Sequence, residues 1–149
     1  MRLPAGIGLG SALALALLSA ASLAQAPPGR PGYRLIVNAN NPVTSLDRRF
    51  VEDAFLKKIK SWPDGETLRP VDLPLRSEIR ERFSDEVLRR PLAALQAYWQ
   101  QRIFSGRDVP PPAVDADADV VKYVGRFEGG IGYVSASAPL AGTKAVPLR

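Results

Sequence analysis

Proline sets the frame of this chain. It carries 14 prolines, and Pro42, Pro63, Pro70, Pro74, Pro91 and the run Pro110 to Pro112 fall between apolar segments rather than inside them. Proline lacks a backbone N–H and clashes with the preceding helical turn, so each element between two breaks must be short.

The segments between the breaks alternate in period. YRLIVNA (33–39) reads as a short buried strand, ended by the Asn-Pro step at Asn41-Pro42. Thr44 or Ser45 is expected to cap the next helix, with Asp47 completing a capping-box-like pattern. Leu46, Phe50, Val51, Ala54 and Phe55 give that helix its apolar stripe, and it should finish near Lys57 to Lys60. SWPDG (61–65) is a turn, and ETLRPVDL (66–73) a short strand that Pro70 confines to a sheet edge. A second helix follows Ser77, burying Ile79, Phe83 and Val87 until Pro91 stops it. Leu92, Leu95, Trp99 and Ile103 mark a third, closed by Gly106. After the extended loop 107–115, Asp117 is expected to cap a fourth helix carrying Val120, Val121, Val124 and Phe127. GGIGYVSA (129–136) is a glycine-rich turn and strand, and TKAVPL (143–148) a last edge strand. The expected class is α/β: a small central mixed sheet flanked by about four helices.

Residues 1–24 are set apart from this pattern. Arg2 precedes an apolar run rich in Ala, Gly and Ser, and Ser22-Leu23-Ala24 offers a small-x-small cut that leaves Gln25 first. That is the layout of a secretory signal peptide, which if uncleaved would serve as an N-terminal anchor. Residues 25–32 form a Pro/Gly linker, and 33–149 a single domain. No later run is long enough to cross a membrane, so the expected location is the periplasm or the exterior.

Composition removes several kinds of chemistry. The chain has no His and no Cys, so neither a Ser-His-Asp nor a Cys-His nucleophilic site can form, and the ordinary zinc ligands are missing. No cofactor and no metal is expected, and the domain is read as non-enzymatic. Asp115, Asp117 and Asp119 alternate like the start of a calcium loop, but Val120 and Arg126 stand where its Gly and Glu belong. The acids are better read as complementing the start of a helix. Lys and Arg total 20 against 15 Asp and Glu, with the signs interleaved as in RRFVEDAFLKK. Nucleic acid calls instead for a basic stripe with exposed aromatics, so it is not an expected partner. Trp62, Tyr98 and Trp99 could stack on a ligand; Trp99 falls on an apolar helix face and reads as core, whereas Trp62 in its turn is open.

One stretch departs from ordinary charge placement. In VDLPLRSEIRERF (71–83), Arg76 and Arg80 sit at a helix start, where cations oppose the macrodipole. Glu78 with Arg82 and Asp85 with Arg89 have pairing distance on the helix, whereas Arg76 and Arg80 face only each other. Ser77 is placed as the N-cap, its hydroxyl able to serve the helix N–H groups or an oxyanion. Either this is an anion site, or acids elsewhere in the fold satisfy the arginines.

IVNANNPVTSLDRRFVEDAFLKKIKSWPDG, RERFSDEVLRR, YWQQRIFSGRDVPPP and GRFEGGIGYVS together resemble, in order and spacing, the phosphate ABC-transporter substrate-binding proteins. The likeness is strongest to short, single-domain exported proteins of that kind and covers residues 34–147. It implies one lobe of a type II periplasmic binding fold, a role in binding or uptake of phosphate or a related oxyanion, and a transporter or envelope partner. In that family an Arg and a Ser-Gly-Thr run at a helix start meet the phosphate; here Arg76 and Ser77 match, and Glu78 and Ile79 replace Gly and Thr. The resemblance implies Arg76 and Ser77 as ligands; Arg80, and Thr44 and Ser45 at the other helix start, join them as candidate ligand-binding residues. Two alternatives stand beside it: an envelope interaction module that keeps the fold without the anion, docking through the helix faces or Pro110 to Pro112, and a homodimer that assembles a composite clamp.

Overall fold

The computed structural model describes Gly29 and residues 32–149, so the expected leader and most of the linker lie outside the described residues. Among the described residues no helix is long and apolar enough to cross a membrane. Strand β1 (Tyr33–Asn38) is central, with Leu35, Ile36 and Val37 fully covered. It pairs antiparallel with β3 (Gly130–Ser135) on one side, Leu35 opposite Tyr133, and with β4 (Thr143–Ala145) on the other, Ile36 opposite Ala145. The two-residue β2 (Arg69–Pro70) lies parallel to β3 at the edge, giving the mixed order β2-β3-β1-β4. Pro70 is tolerated because Arg69 and Val71 on either side donate to the Gly129 and Ile131 carbonyls, while position 70 owes the ladder no donor.

The described residues form four helices, α1 (Arg48–Phe55), α2 (Glu78–Glu86), α3 (Leu92–Phe104) and α4 (Asp117–Arg126); α1, α2 and α4 pack on the sheet, and α3 packs on α2. One sheet face carries Tyr133, whose ring stacks on Phe83 of α2 at 3.9 Å with Phe55 of α1 beside both. The other face carries Gly132, and α4 lies against it. A Cβ on Gly132 would sit 2.7 Å from Val120 Cγ1, and one on Gly130 2.8 Å from Val124 Cα, so these glycines set how closely α4 approaches. Both ends of α4 are tied to the sheet. Ser135 N–H donates to Asp117 at 3.2 Å and its hydroxyl donates to the same carboxylate, while the Asn38 amide reaches the Val124, Gly125 and Phe127 carbonyls at 3.1 Å.

The helix boundaries correct three expectations. Asp47, not Thr44 or Ser45, caps α1, accepting from Arg49 N–H; Leu46 just before it is drawn into a bridge with Leu148 that holds the chain extended. That helix stops at Phe55 rather than at Lys57 to Lys60, because Lys57 turns left-handed at φ 52°. Ala116 is the N-cap of α4, which frees the Asp117 side chain for Ser135. Trp62 is core: it is buried against Phe50, and its indole N–H donates to Gly129 O at 3.0 Å.

Candidate functional site

The chain leaves edge strand β2 through Val71, Asp72 and Leu73, turns at Pro74, and enters α2 with Ser77 as its N-cap. Ser77 N–H closes the turn on Pro74 O at 2.9 Å, and its hydroxyl accepts from Arg80 N–H at 3.3 Å. The first helical residues, Glu78 and Ile79, have no carbonyl one turn back to receive their N–H groups. Glu78 is exposed, as is Arg76. Glu78 and Glu81 put negative charge in the first turn, so the helix dipole is complemented despite the arginines around it.

The two arginines have different environments. Arg76 projects into solvent, with its nearest acid, Asp115, at 3.7 Å and equally exposed. Such a pair contributes about 0–1 kcal/mol and leaves the guanidinium available. Arg80 is turned inward. One Nη donates to Leu73 O at 2.6 Å, the other faces Asp72 Oδ2 at 3.4 Å, and Asp72 Oδ1 accepts from the Tyr133 hydroxyl at 2.7 Å. Burial pushes the Asp72 carboxyl above its ordinary range, opposed by the Arg80 charge and the Tyr133 hydrogen bond. Burial and then the Asp72 charge push the Tyr133 phenol well above its own. The result is a buried, mutually compensating cluster that fixes the Leu73–Ser77 turn to strand β3.

The structure thus brings Arg76 and Ser77 to one exposed helix start and places Arg80 beneath them. Thr44 is exposed and Ser45 half-buried on the segment leading into α1. Neither is hydrogen-bonded to Arg76, Ser77 or Arg80. Arg48, the first residue of α1, instead donates to Val87 O at 2.6 Å, beside the far end of α2. Sequence reasoning missed Asp72 and Tyr133. A signal for Arg80 was present: Arg80, Ser84 and Val87 fall at i, i+4 and i+7, one helical stripe, and all three are buried.

A mixed four-stranded sheet with helices on both faces, and a helix start at the end of its edge strand, can be compared with solved structures. An ABC-type phosphate transport receptor from Vibrio cholerae matches with a TM-score of 0.59 and 19% identity, over 79% of this chain and 46% of the receptor. A putative phosphate ABC transporter substrate-binding protein with bound phosphate from Clostridium perfringens gives 0.63 and 23%, over 79% and 45%. PstS from Borrelia burgdorferi gives 0.60 and 10%, over 80% and 47%. The fold is that of the phosphate-transport substrate-binding proteins. This chain spans under half the length of those structures. No protein-family model matches it, and no curated protein matches it by sequence.

Proposed function

We propose that the chain is an exported, non-enzymatic solute-binding domain that takes phosphate or a related oxyanion at the N-terminus of α2. The observation that carries this reading is the exposed helix start in which Arg76 and Ser77 stand together, on a fold shared with a protein solved with phosphate bound. Arg76 supplies the charge, the Ser77 hydroxyl and the first helical N–H groups supply donors, and Arg80 holds the turn that presents them. A transporter or other envelope protein is the fitting partner.

The affinity follows from the geometry. Each hydrogen bond in water contributes about 0.5–1.5 kcal/mol net, and one to a charged group about 1.5–3. Association removes at least about 4 kcal/mol, and Glu78 adds like charge beside the anion. The balance corresponds to binding in the millimolar range rather than tight capture. Calorimetric titration with phosphate tests this: millimolar binding that is lost in Arg76→Ala and kept in Lys122→Ala supports it. Equal heats for the wild type and Arg76→Ala count against it. Glu78 favours a second reading, an interaction module that no longer binds an anion, and absence of phosphate heat would select that one.

A further inference from the structure

The ring of Tyr98 on α3 is a platform for two arginines. Its hydroxyl donates to Leu56 O at 2.8 Å, and it meets Trp99 edge-on with centres 4.9 Å apart, so the ring is fixed in place. The guanidinium of Arg90 stands 5.2 Å from its centre and that of Arg102 5.3 Å. Arg90 is itself pinned: its N–H donates to Ser84 O at 3.1 Å, and its carbonyl accepts from the hydroxyl of buried Ser84. Arg89, just before it, turns left-handed at φ 55°, a conformation uncommon outside glycine. The backbone is bent to bring Arg90 against the ring.

The ring attracts both cations but supplies no acceptor for their N–H groups. Among the described residues neither guanidinium has a carboxylate or a hydrogen-bond acceptor, and both Nε atoms are buried without a partner. Arg48, Arg80 and Arg82, by contrast, each meet an acid. Two like charges thus share one ring with no counter-charge, and each planar fork is shaped to take a carboxylate through two parallel hydrogen bonds. The row of cations continues past the pair. Leu56, which accepts from Tyr98, is followed by Lys57; Lys57 and Lys60 both reach Asp108, at 3.6 Å and 3.0 Å, and exposed Arg107 precedes that acid. Five cations here meet one acid, most of the +5 carried by the whole chain. Of the acids nearest in sequence, Asp53 is held between Arg49 and Lys58, and Asp64 and Glu66 lie in the tight turn beyond the Ser61–Thr67 bridge. A single small anion meets at most the arginine pair, whereas an extended run of carboxylates meets the row in succession. Bases would need an open aromatic face, and guanidiniums already face the Tyr98 ring. A lipid surface is met by cations that project, and Arg90 and Arg102 are half-buried.

We infer that the corner built from Arg90, Tyr98 and Arg102 docks a carboxylate-rich segment of a partner protein, whose acidic side chains pair with the two arginine forks and then with the cations beyond them. The inference does not rest on the anion reading at α2. Titration of the protein with hexaglutamate at low ionic strength, followed through the arginine Nε–Hε NMR signals, tests it. The Arg90 and Arg102 signals are expected to shift saturably while that of Arg76 stays in place. Affinity should fall by about fivefold in Arg90→Gln and by a similar factor in Arg102→Gln, and stay at the wild-type value in Arg76→Ala. Binding should vanish in about 1 M salt, where screening acts within about 3 Å. Arg90→Lys, which keeps the charge and loses the fork, should fall between wild type and Arg90→Gln. The wild-type signals carry the result even where a variant folds poorly. Arg90 and Arg102 signals that do not move with millimolar hexaglutamate overturn the inference, and so does undiminished binding when both arginines are replaced. A larger response of the same two signals to inorganic phosphate or to phosphatidylglycerol vesicles than to hexaglutamate overturns it as well.

Discussion

Replacing Arg80 by methionine keeps the length of the side chain and removes its charge. Asp72 and Arg80 are both buried, at 4% and 7% exposure, so the change strands a carboxylate in the interior together with the Leu73 carbonyl. Breaking a buried pair in this way costs about 3–5 kcal/mol, because an uncompensated charge is left behind. With a urea slope of about 1–3 kcal/mol/M, the midpoint should fall by about 1–5 M. The loss has a definite pH dependence. The folded-state pKa of Asp72 lies above its unfolded value, so the folded form holds its proton the more tightly, and stability falls as pH rises through that pKa. Without Arg80 the opposing influence is gone and the pKa rises further, so the deficit should be largest near neutrality and shrink toward pH 4. Arg76→Met, at an exposed pair, should cost under about 1 kcal/mol at any pH. Equilibrium urea unfolding at several pH values measures all of this. If Arg80→Met loses less than about 1 kcal/mol at pH 7, Arg80 is not the internal cation described here.

Three further outcomes follow from the packing. The Tyr33 phenol is pushed up to about 12 by burial and then by its hydrogen bond to Glu86, and Tyr133 is raised above 10. The Tyr33 contribution is fully present below pH 10 and is lost as pH rises toward 12, so melting temperature should fall across that window, less steeply in Tyr33→Phe; an unchanged slope would count against the assignment. Gly132→Ala places a methyl group 2.7 Å from Val120 Cγ1 and should cost about 1–3 kcal/mol by thermal melting, partly recovered by adding Val120→Ala. Ser77→Ala removes the cap of α2 and should lower stability by about 1 kcal/mol, while Thr44→Ala and Ser45→Ala, which cap nothing, should not.

Most of the elements were legible because local pattern and tertiary packing agree in them. Ile79, Phe83 and Val87 are buried as their spacing requires, and Pro70 does sit on an edge strand. The misplaced details depend on partners distant in sequence. Leu148 draws Leu46 into a bridge and moves the α1 cap to Asp47; Ser135 takes the Asp117 side chain; Gly129 takes the Trp62 indole. The charge anomaly at α2 resolves in the same manner. Helical spacing offers Arg76 and Arg80 no acidic partner, but Asp115 and Asp72 approach from other segments. Helical spacing alone made the two arginines equivalent, and only the burial of the stripe that holds Arg80, Ser84 and Val87 separates them. The close fit of α4 over Gly130 and Gly132 was readable as a glycine-rich strand, though not as the helix contact that requires it.

An oxyanion held at the start of α2, as proposed, would be felt first by the backbone amides there. Amide chemical shifts followed during a phosphate titration, against chloride at equal ionic strength, test it most directly. The account predicts saturable shifts at millimolar phosphate centred on Ser77, Glu78, Ile79 and Arg80, abolished by Arg76→Ala. Shifts no larger than those from chloride, or shifts centred on basic side chains elsewhere, would contradict it.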